Sequence, residues 1–588
     1  MTQVQSAPLS DTSVLGGPTP VLGQRKQLIK RSLFAQILVG LLFIVIASLV
    51  IYPIGAVAFV TFMPPGVADI FGEIPWHQAF SEPGISESVL NTFKVVLATQ
   101  AIALPIAILI AWALARTDIP FGRTFEFFFW TKFFMPSLSV LTGWLLLFDP
   151  DFGMANEWAR ALGLTDGSPF NLYSFWGIVF VHVSTYGIAV KVMLLTPAFR
   201  NLDGSIEEAS RVCGGSRLQT LVRIVLPLMA PPIVTVLLMS LIRGLETFEI
   251  ELVLGVPINF SVYSTKIFQL MSEEPSEFHA AGMLGITILA IVLPLIIFQR
   301  WMSTRRNYEV VTGKSSRTPV RLGIWRWPVF FVVLMLVAFI SILPFFLLIA
   351  GSFMKLFGFF NLTEVWTVSH WAKVLNDSTF VISLNNMLQL GFSTSFLAIA
   401  GYSIVAYCVV RLRVRMAGPL DIVSWLPIGI PGIVLGFGYL NMMLQVPFFA
   451  VFYGTVGALI FVTFLAAMPL GVQMMKVHML QIGKDIEEAG RVTGGSWSKT
   501  FSNIILPLLV PTLAVVGVIV FASTIRNVST IMLLSSGNSK VLSILQVEFL
   551  SVGSLGPAAV VGTVIMLISI AAALVVRLIS LRFGVRTR

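Results

Sequence analysis

Charged residues are scarce in this chain. Only 11% of its 588 residues are Asp, Glu, Lys or Arg, whereas a soluble domain has about a quarter. Hydrophobic residues make up 56%, and the mean hydropathy is +0.90. This composition excludes a soluble protein and indicates a membrane protein with many spans. The apolar runs are long and continuous, which favours helices over a β-barrel.

Cysteine is also rare, with Cys213 and Cys408 as the two examples. Both fall at or near the predicted inner face of the membrane, where thiols stay reduced. We therefore expect neither a disulfide nor a metal–thiolate site.

The chain lacks an ATP site of its own. Gly313–Ser315 looks like the end of a phosphate-binding loop, but Tyr308 stands where that motif needs glycine, and no apolar strand precedes it. No nucleophile or acid–base constellation suggests catalysis either. We expect the chain not to be an enzyme and to hold no cofactor.

The apolar runs predict twelve membrane-spanning helices, each of about 20 residues. Their approximate bounds are 33–58, 92–115, 125–148, 173–195, 226–243, 281–299, 328–352, 385–410, 419–444, 453–475, 506–523 and 556–576. The predicted fold class is an all-α polytopic membrane protein.

Lys and Arg set the expected orientation, because they concentrate in alternate connections between the spans. With this basic side in the cytoplasm, the N-terminal tail 1–32 and the C-terminal tail 579–588 are both cytoplasmic. The net charge of +10 is then a topology signal and does not require nucleic acid as a partner.

The second half of the chain repeats the first. Three landmark residues recur 295 positions later, namely Asn91, Arg116 and Pro136 as Asn386, Arg411 and Pro431. The offset then falls to 280, so the first half carries about 15 extra residues, which we place in the outward loop 149–172. We predict two six-span units, 33–299 and 328–578, joined by a basic cytoplasmic linker, 300–327. Units with an even number of spans share one orientation, which favours a transport path between them.

A polar inner loop is the most informative part of the repeat. The first copy contains Ile206-Glu207-Glu208-Ala209, Gly214-Gly215-Ser216 and Ile224-Val225-Leu226-Pro227, and the second contains Ile486-Glu487-Glu488-Ala489, Gly494-Gly495-Ser496 and Ile504-Ile505-Leu506-Pro507. Acidic residues near a helix start and paired glycines after it predict a short helix, a turn and a second helix. Ordinary capped connectors would explain one copy, but not two copies at fixed spacing.

This loop resembles the signature loop of type I ABC importer permeases. The pattern Glu-Ala-small, Gly and Ile-x-Leu-Pro occurs twice, at Glu208–Pro227 and at Glu488–Pro507. The resemblance implies two permease units with coupling loops at 197–227 and 476–507. It also implies that two ATP-binding cassette subunits bind these loops and hydrolyse ATP with Mg²⁺. The residues that would contact them are Glu207, Glu208, Ala209, Gly214, Gly215, Glu487, Glu488, Ala489, Gly494 and Gly495.

The fused layout is similar to the ferric-iron and thiamine permease group, and Glu246–Glu249 and Ile525–Thr530 look most like the ferric-iron branch. This resemblance implies a bacterial inner-membrane importer that receives its solute from a periplasmic or lipid-anchored binding protein and works by alternating access. The best candidate solute is ferric iron. Thiamine, polyamine and phosphonate are alternatives with the same machinery.

Ionisable residues close to the spans are candidates for the substrate path. Glu246, Glu249, Glu251 and Arg526 are the predicted set, with Arg243 and Arg526 as alternative internal partners for the acids. The i, i+3 spacing predicts Arg243 and Glu246, and also Glu246 and Glu249, as neighbours on one helix face. Whether these residues bind a metal is left open. Lys132 and His182, within spans three and four, are expected to be structural.

Two rival functions remain at this point. An ion-coupled secondary transporter also tends to have twelve spans in two halves, but it needs charged groups deep in the spans, which are few here. A membrane scaffold or sensor would show no flux that depends on ATP.

Overall fold

The computed structural model describes residues 22–62, 84–274, 276–305, 320–360, 362–412, 414–492, 494 and 496–582. Across these ranges the regular structure is helical, apart from two isolated β-bridges, Thr117–Val320 and Met354–Trp366. The predicted all-α fold class is confirmed. Gly313–Ser315, the segment that looks like the end of a phosphate-binding loop, lies outside the described residues. So do most of the N-terminal tail, the middle of the linker and the end of the C-terminal tail.

The α-helices of the first half are α1 (Leu22–Phe62), α2 (Ile85–Arg116), α3 (Gly122–Phe134), α4 (Ser137–Phe148), α5 (Met154–Ala161), α6 (Phe175–His182), α7 (Ala189–Arg200), α8 (Gly204–Val212), α9 (Arg217–Thr220), α10 (Leu226–Gly244), α11 (Glu249–Leu254), α12 (Tyr263–Ser272) and α13 (Phe278–Arg305). Two π-helices, Val183–Gly187 and Leu221–Val225, and one 3₁₀-helix, Val256–Ile258, are the other helical elements among the described residues of this half.

The α-helices of the second half are α14 (Arg326–Val337), α15 (Leu343–Ser352), α16 (Ser369–Leu375), α17 (Ser378–Arg411), α18 (Ala417–Trp425), α19 (Gly432–Gln445), α20 (Pro447–Ala450), α21 (Val456–Gln481), α22 (Lys484–Val492), α23 (Trp497–Thr500), α24 (Leu506–Ile525), α25 (Leu542–Ser551) and α26 (Leu555–Arg582). The π-helices are Ala338–Ile342 and Phe501–Ile505, and the 3₁₀-helices are Gly323–Trp325 and Leu426–Gly429.

The described residues contain nine helical segments that are long and apolar enough to cross a membrane, and three bent helix pairs that pass the same test together. If each bent pair counts as one span, the total is twelve. This total agrees with the twelve spans predicted from the sequence, and the chain is a multi-pass membrane protein.

The third predicted span of each half is sharply broken. The segment predicted at 125–148 forms α3 and α4, which meet at 104°, and the segment predicted at 419–444 bends by 109° before α19. Pro136 and Pro431 are the residues just before α4 and α19, and their backbones are extended. Proline removes a backbone donor and disfavours helix in the residue before it, so the break falls at the same place in both halves.

The fourth span differs between the halves by one residue. Ser174 caps α6 by accepting the N–H of Gly177, and Thr455, 281 positions later, caps α21 in the same way. The coupling loops that follow are offset by 280, so the first half holds one extra residue between these points. The π-helix Val183–Gly187 accommodates it and bends this span by 42°, whereas α21 is continuous.

The two halves exchange their first spans. Helix α1 packs against α18 and α19 of the second half, while α15 packs against α4 of the first. Two glycines 295 positions apart permit this approach. A Cβ at Gly143 would collide with the carbonyl of Pro344, and a Cβ at Gly438 would lie 2.6 Å from the carbonyl oxygen of Pro53. One continuous hydrophobic core therefore includes buried residues of both halves.

Candidate coupling surface and central path

The first coupling loop folds as a capped helix. The Asp203 side chain accepts a hydrogen bond of 3.0 Å from the N–H of Ser205, so it closes the N-terminus of α8. The same backbone N–H, as the largest cause, lowers the pKa of the Asp203 carboxyl. Glu207 follows in the first turn, where the helix dipole favours negative charge.

The helices α8 and α22 of the two coupling loops are the coupling helices, and a glycine in the left-handed backbone conformation follows each of them. Gly214 has φ of 83° and Gly494 has φ of 82°, and a Cβ would meet nothing within 4 Å at either position. Gly215 is held differently, because its N–H donates to the Ser210 carbonyl and an added Cβ would lie 2.7 Å from Ser210 Oγ. Its counterpart Gly495 lies outside the described residues.

The chain then returns along the coupling helix through a second short helix, as predicted. In the first half, Ser210 Oγ and Thr220 Oγ1 are 2.8 Å apart, which joins α8 to α9. In the second half Gly490 replaces Ser210, and a Cβ there would lie 2.9 Å from Thr500 Cγ2. Each loop is thus a compact pair of helices.

Both coupling helices expose the same apolar positions. Val212 and Val492 are each 88% exposed, and Ile206 and Ile486 are 37% and 41% exposed. Among the predicted contact residues, Glu208, Ala209 and Ala489 are exposed, and Glu207 and Glu487 are buried. An apolar strip that recurs at equivalent positions is suited to binding two copies of one partner.

The buried glutamates are paired with the arginines that end the second spans. Arg116 Nε lies 3.1 Å from Glu207 Oε1, and Arg411 Nε lies 3.8 Å from Glu487 Oε2. The sequence singled out all four residues as repeated features but did not predict that they meet. Their shared positions in both copies were the available signal.

A π-helix lies near the end of each coupling loop, at Leu221–Val225 and at Phe501–Ile505, 280 positions apart. Pro227 and Pro507 then stand in the first turn of α10 and α24. Because a π-turn often marks a functional site within a helix, the repeat places a candidate hinge between each coupling helix and the fifth span.

A polar cluster lies where the third span of the first half breaks. Ser137 Oγ donates a 3.0 Å hydrogen bond to Glu249 Oε2. From the second half, Arg526 donates to the carbonyl of Phe133, and its guanidinium carbon lies 4.9 Å from the centre of the Phe133 ring. The Tyr186 hydroxyl donates to the carbonyl of Met135 at 3.2 Å. Glu249 and Arg526 thus flank the break at Pro136 from opposite halves.

The three predicted acids do not share one helix face. Helix α10 ends at Gly244 and α11 begins at Glu249, so the predicted face that joins Glu246 to Glu249 is wrong. The chain turns between them, and each acid has a separate partner. Glu246 Oε2 lies 2.9 Å from Arg243 Nη1, as the spacing predicted, and Glu251 Oε1 lies 2.7 Å from His182 Nε2.

The second half lacks the charged version of this cluster. Gly432 and Ser529 occupy the positions equivalent to Ser137 and Glu249, and a Cβ at Gly432 would collide with Ser529 Oγ. Packing of backbone on hydroxyl thus replaces a hydrogen bond to a carboxylate. The roles of Ser137 and Tyr186 gave no signal in the sequence, because their partners are more than 40 residues away.

No group of three or more His, Cys, Asp and Glu side chains that could hold a metal ion occurs in the part of the chain described here. His182 is paired with Glu251, and Lys132 is fully buried with no hydrogen-bond partner for Nζ among the described residues.

The family model of binding-protein-dependent transport system inner membrane components matches residues 103–308. The match runs from within α2 to just beyond α13, so it contains the first coupling loop and the broken third span. This part of the chain therefore resembles the permease domain of that family. The repeat described above extends the same design through the second half, and the chain as a whole resembles the fused ABC permeases of the ferric-iron group.

Two curated relatives cover both halves in part. The ferric transport system permease protein FbpB of Actinobacillus pleuropneumoniae is 27% identical over 410 residues, which are 68% of this chain and 58% of the relative. The protein FbpB 1 of Haemophilus influenzae is 28% identical over 387 residues, which are 63% of this chain and 58% of the relative. The chain thus spans 58% of the length of these relatives. A crystal structure of a bacterial ABC transporter involved in the import of the acidic polysaccharide alginate matches with a TM-score of 0.41 and 18% identity, over 48% of this chain and 99% of that chain.

Proposed function

We propose that this protein is the permease subunit of an ATP-driven ABC importer in a bacterial inner membrane, with both termini in the cytoplasm. Two ATP-binding cassette subunits bind the coupling loops and hydrolyse ATP with Mg²⁺. A periplasmic or lipid-anchored binding protein delivers the solute, which passes between the halves by alternating access. The permease itself holds no cofactor and performs no chemistry.

One observation carries this proposal, which is the equivalence of the two coupling helices. They share a buried Glu paired with an Arg of the second span, a positive-φ glycine, and exposed apolar residues at the same positions. Two equal docking surfaces suit two equal partners. An ion-coupled carrier has no need for them.

We propose ferric iron as the solute, because the relatives reported above are ferric permeases by name. Among the described residues no cluster could hold a bare ion firmly. Weak contacts suit a path that must release its solute, since a site that binds too tightly prevents passage. Glu249 and Arg526 at the break, with Glu246 and Glu251 nearby, are the residues we assign to the path.

Docking can be tested by changing the exposed valines of both coupling helices, with Val212→Asp and Val492→Asp combined. A buried carboxylate at an apolar contact is unfavourable, so the double variant should no longer copurify with the ATPase subunit. Val552→Asp is a matched control, because Val552 is 73% exposed and directly follows α25, outside both coupling loops. Copurification of the double variant at the level of the control would contradict the docking surface.

Uptake should be measured in vesicles that contain the permease, the ATPase subunits and the binding protein. Radiolabelled ferric iron should enter only with ATP, and collapse of the ion gradients should not stop it. Uptake driven by an ion gradient without ATP would favour the secondary transporter. If ATP hydrolysis responds to the binding protein but iron does not enter, thiamine, polyamine and phosphonate are to be assayed in the same vesicles.

A further inference from the structure

We infer that Arg116 and Arg411 are positioning residues that fasten each coupling helix to the second span of its half, so that movement of the helix is passed to that span. The inference rests on the proposed function, since it concerns how the coupling helices act once the ATPase subunits are bound. These two arginines are the last residues of their second spans, and they do not lie on the docking surface.

In the first half, Arg116 joins three elements. It is the last residue of α2. Its Nε lies 3.1 Å from Glu207 Oε1 of α8, and its Nη1 donates a 3.1 Å hydrogen bond to the Leu202 carbonyl, which lies between α7 and α8. The side chains of Arg116 and Glu207 are only 7% and 4% exposed. Because the guanidinium group is planar and carries several donors, one side chain can hold the coupling helix and its entry segment together.

The second half repeats this arrangement at equivalent residues. Arg411 ends α17, its Nη2 donates to the Ile482 carbonyl at 2.8 Å, and its Nε lies 3.8 Å from Glu487 Oε2. Ile482 is 280 positions after Leu202, as Glu487 is after Glu207. Tyr407 adds a hydrogen bond of 3.3 Å to Glu487 Oε1.

The contacts of the coupling helix explain why the arginine matters. Helix α8 packs against α9 and the π-helix of its own loop, so these contacts move with it. The ion pair reaches a different element, the second span. Pulling the helix away from the span would leave both buried charges uncompensated, so separation of the two elements is unfavourable.

The two acids of the motif in the first half, Glu207 and Glu208, differ in burial and therefore have different roles. Glu207 faces inward to Arg116, whereas the next residue, Glu208, is exposed on the side of α8 available to a partner. A change at Glu207 should therefore disturb transmission, and a change at the exposed positions should disturb docking.

The test is the number of ATP molecules hydrolysed per iron taken up by the reconstituted complex. Arg116→Gln and Arg411→Gln, separately and together, retain most of the volume but lose the charge. We expect the complex to form and to hydrolyse ATP, with the ratio of ATP to solute raised about fivefold or more, as for the loss of a typical coupling between sites. Glu207→Gln should raise the ratio less, because Arg116 keeps its bond to the Leu202 carbonyl.

Arg160→Gln is the matched control, since Arg160 forms a half-exposed ion pair of 2.8 Å with Glu157 outside the coupling loops. If the Gln variants do not assemble, Arg116→Lys and Arg411→Lys keep the charge and lose the planar guanidinium group that reaches both the carboxylate and the backbone carbonyl, and the same ratio is measured. A ratio within about twofold of wild type in the assembled variants would overturn the inference. A wild-type complex that hydrolyses ATP without any response to the binding protein would instead contradict the proposed function.

Discussion

The turns need glycine at Gly214 and Gly494 because of the backbone conformation there, and not because of close packing. Both have φ above 80°, and neither would bring a Cβ into contact with another residue. A β-branched residue is strained in this region, whereas asparagine tolerates it. The identity of the side chain at the turn therefore decides whether the coupling helix and its return helix keep their geometry.

We predict that Gly214→Val combined with Gly494→Val reduces ATP-driven uptake by about tenfold, since a strain of roughly 1–2 kcal/mol at each turn shifts the loops away from the docking geometry. Initial rates of uptake in vesicles measure this. Gly214→Asn with Gly494→Asn should stay close to wild type. Gly418→Val controls for valine itself, because Gly418 has open space around it and no positive φ. Equal loss in the Asn and Val variants would show that backbone conformation is not the cause.

Glu249 lies at the break in the third span of the first half. Glu249→Gln keeps a group that can accept from Ser137 but removes the charge that faces Arg526 across the two halves. We expect uptake to fall by about tenfold, because a hydrogen bond to a charged acceptor is stronger than one to a neutral acceptor by about 1–1.5 kcal/mol. Copurification with the ATPase subunit should be unchanged. Glu157→Gln, at a half-exposed ion pair, is the control, and unchanged uptake in Glu249→Gln would remove this residue from the path.

At the scale of elements, the end of the linker between the halves is fastened beside the first coupling loop. The N–H of Val320 donates to the carbonyl of Arg116 at 2.8 Å, and the N–H of Leu322 donates to Asp118 Oδ1 at 2.8 Å. Arg326 Nε donates to the Asp118 carbonyl at 3.1 Å. The linker thus reaches the residue that also pairs with Glu207.

We predict that Val320→Pro detaches this segment, because proline has no N–H to donate to Arg116. The loss should cost about 1 kcal/mol of stability and should speed trypsin cleavage after Arg321. Val320→Ala, which keeps the N–H, should be cut at nearly the wild-type rate once its smaller side chain is allowed for. Time courses of limited proteolysis in detergent distinguish the two, and equal rates would mean that the backbone bond does not hold the linker.

Local signals account for the elements that the sequence predicted. The helix–turn–helix form of the coupling loops follows from Asp203, the Glu pair and Gly214, which act within a few residues. The bend at Pro136 was not predicted, because proline in an apolar run is compatible with a mild kink as well as a turn of 104°. Packing against the other half decides between these outcomes.

The contacts of the site were less predictable than its elements. Arg116 and Glu207 are 91 positions apart, and no local rule joins residues at that distance. The repeat showed that these residues recur in both halves, but it did not show which of them lie close together. The one-residue difference at Val183–Gly187 was likewise hidden, because the extra residue is visible only when the helix caps on either side are aligned.

At the scale of the whole molecule, the exchanged first spans hold the halves together. Gly143 and Gly438 allow the backbones of the opposite first spans to approach at Pro344 and Pro53. Tyr439 adds a hydrogen bond of 2.8 Å from its hydroxyl to the Leu49 carbonyl. The interface is therefore interlocked, with each half covering the broken span of the other.

We predict that Gly143→Ala destabilises the protein by about 1–3 kcal/mol, because the added methyl group meets backbone that cannot rotate away. Thermal unfolding in detergent measures this change. Gly55→Ala is the control within helix α1, where a Cβ meets nothing within 4 Å, and it should be neutral or stabilising by up to about 1 kcal/mol. A melting temperature for Gly143→Ala at or above that of Gly55→Ala would contradict the close approach.

The packing of each first span against the opposite half also determines the order of assembly during biosynthesis. Pro344 lies 201 positions after Gly143, so a ribosome working at about 5–20 residues per second delivers it roughly 10–40 s later. During that interval the newly inserted first half has lipid, or a helper of the insertion machinery, where its second-half helix will lie. The packing of the first half is therefore complete only after the second half has been inserted, and the interface between the halves forms last.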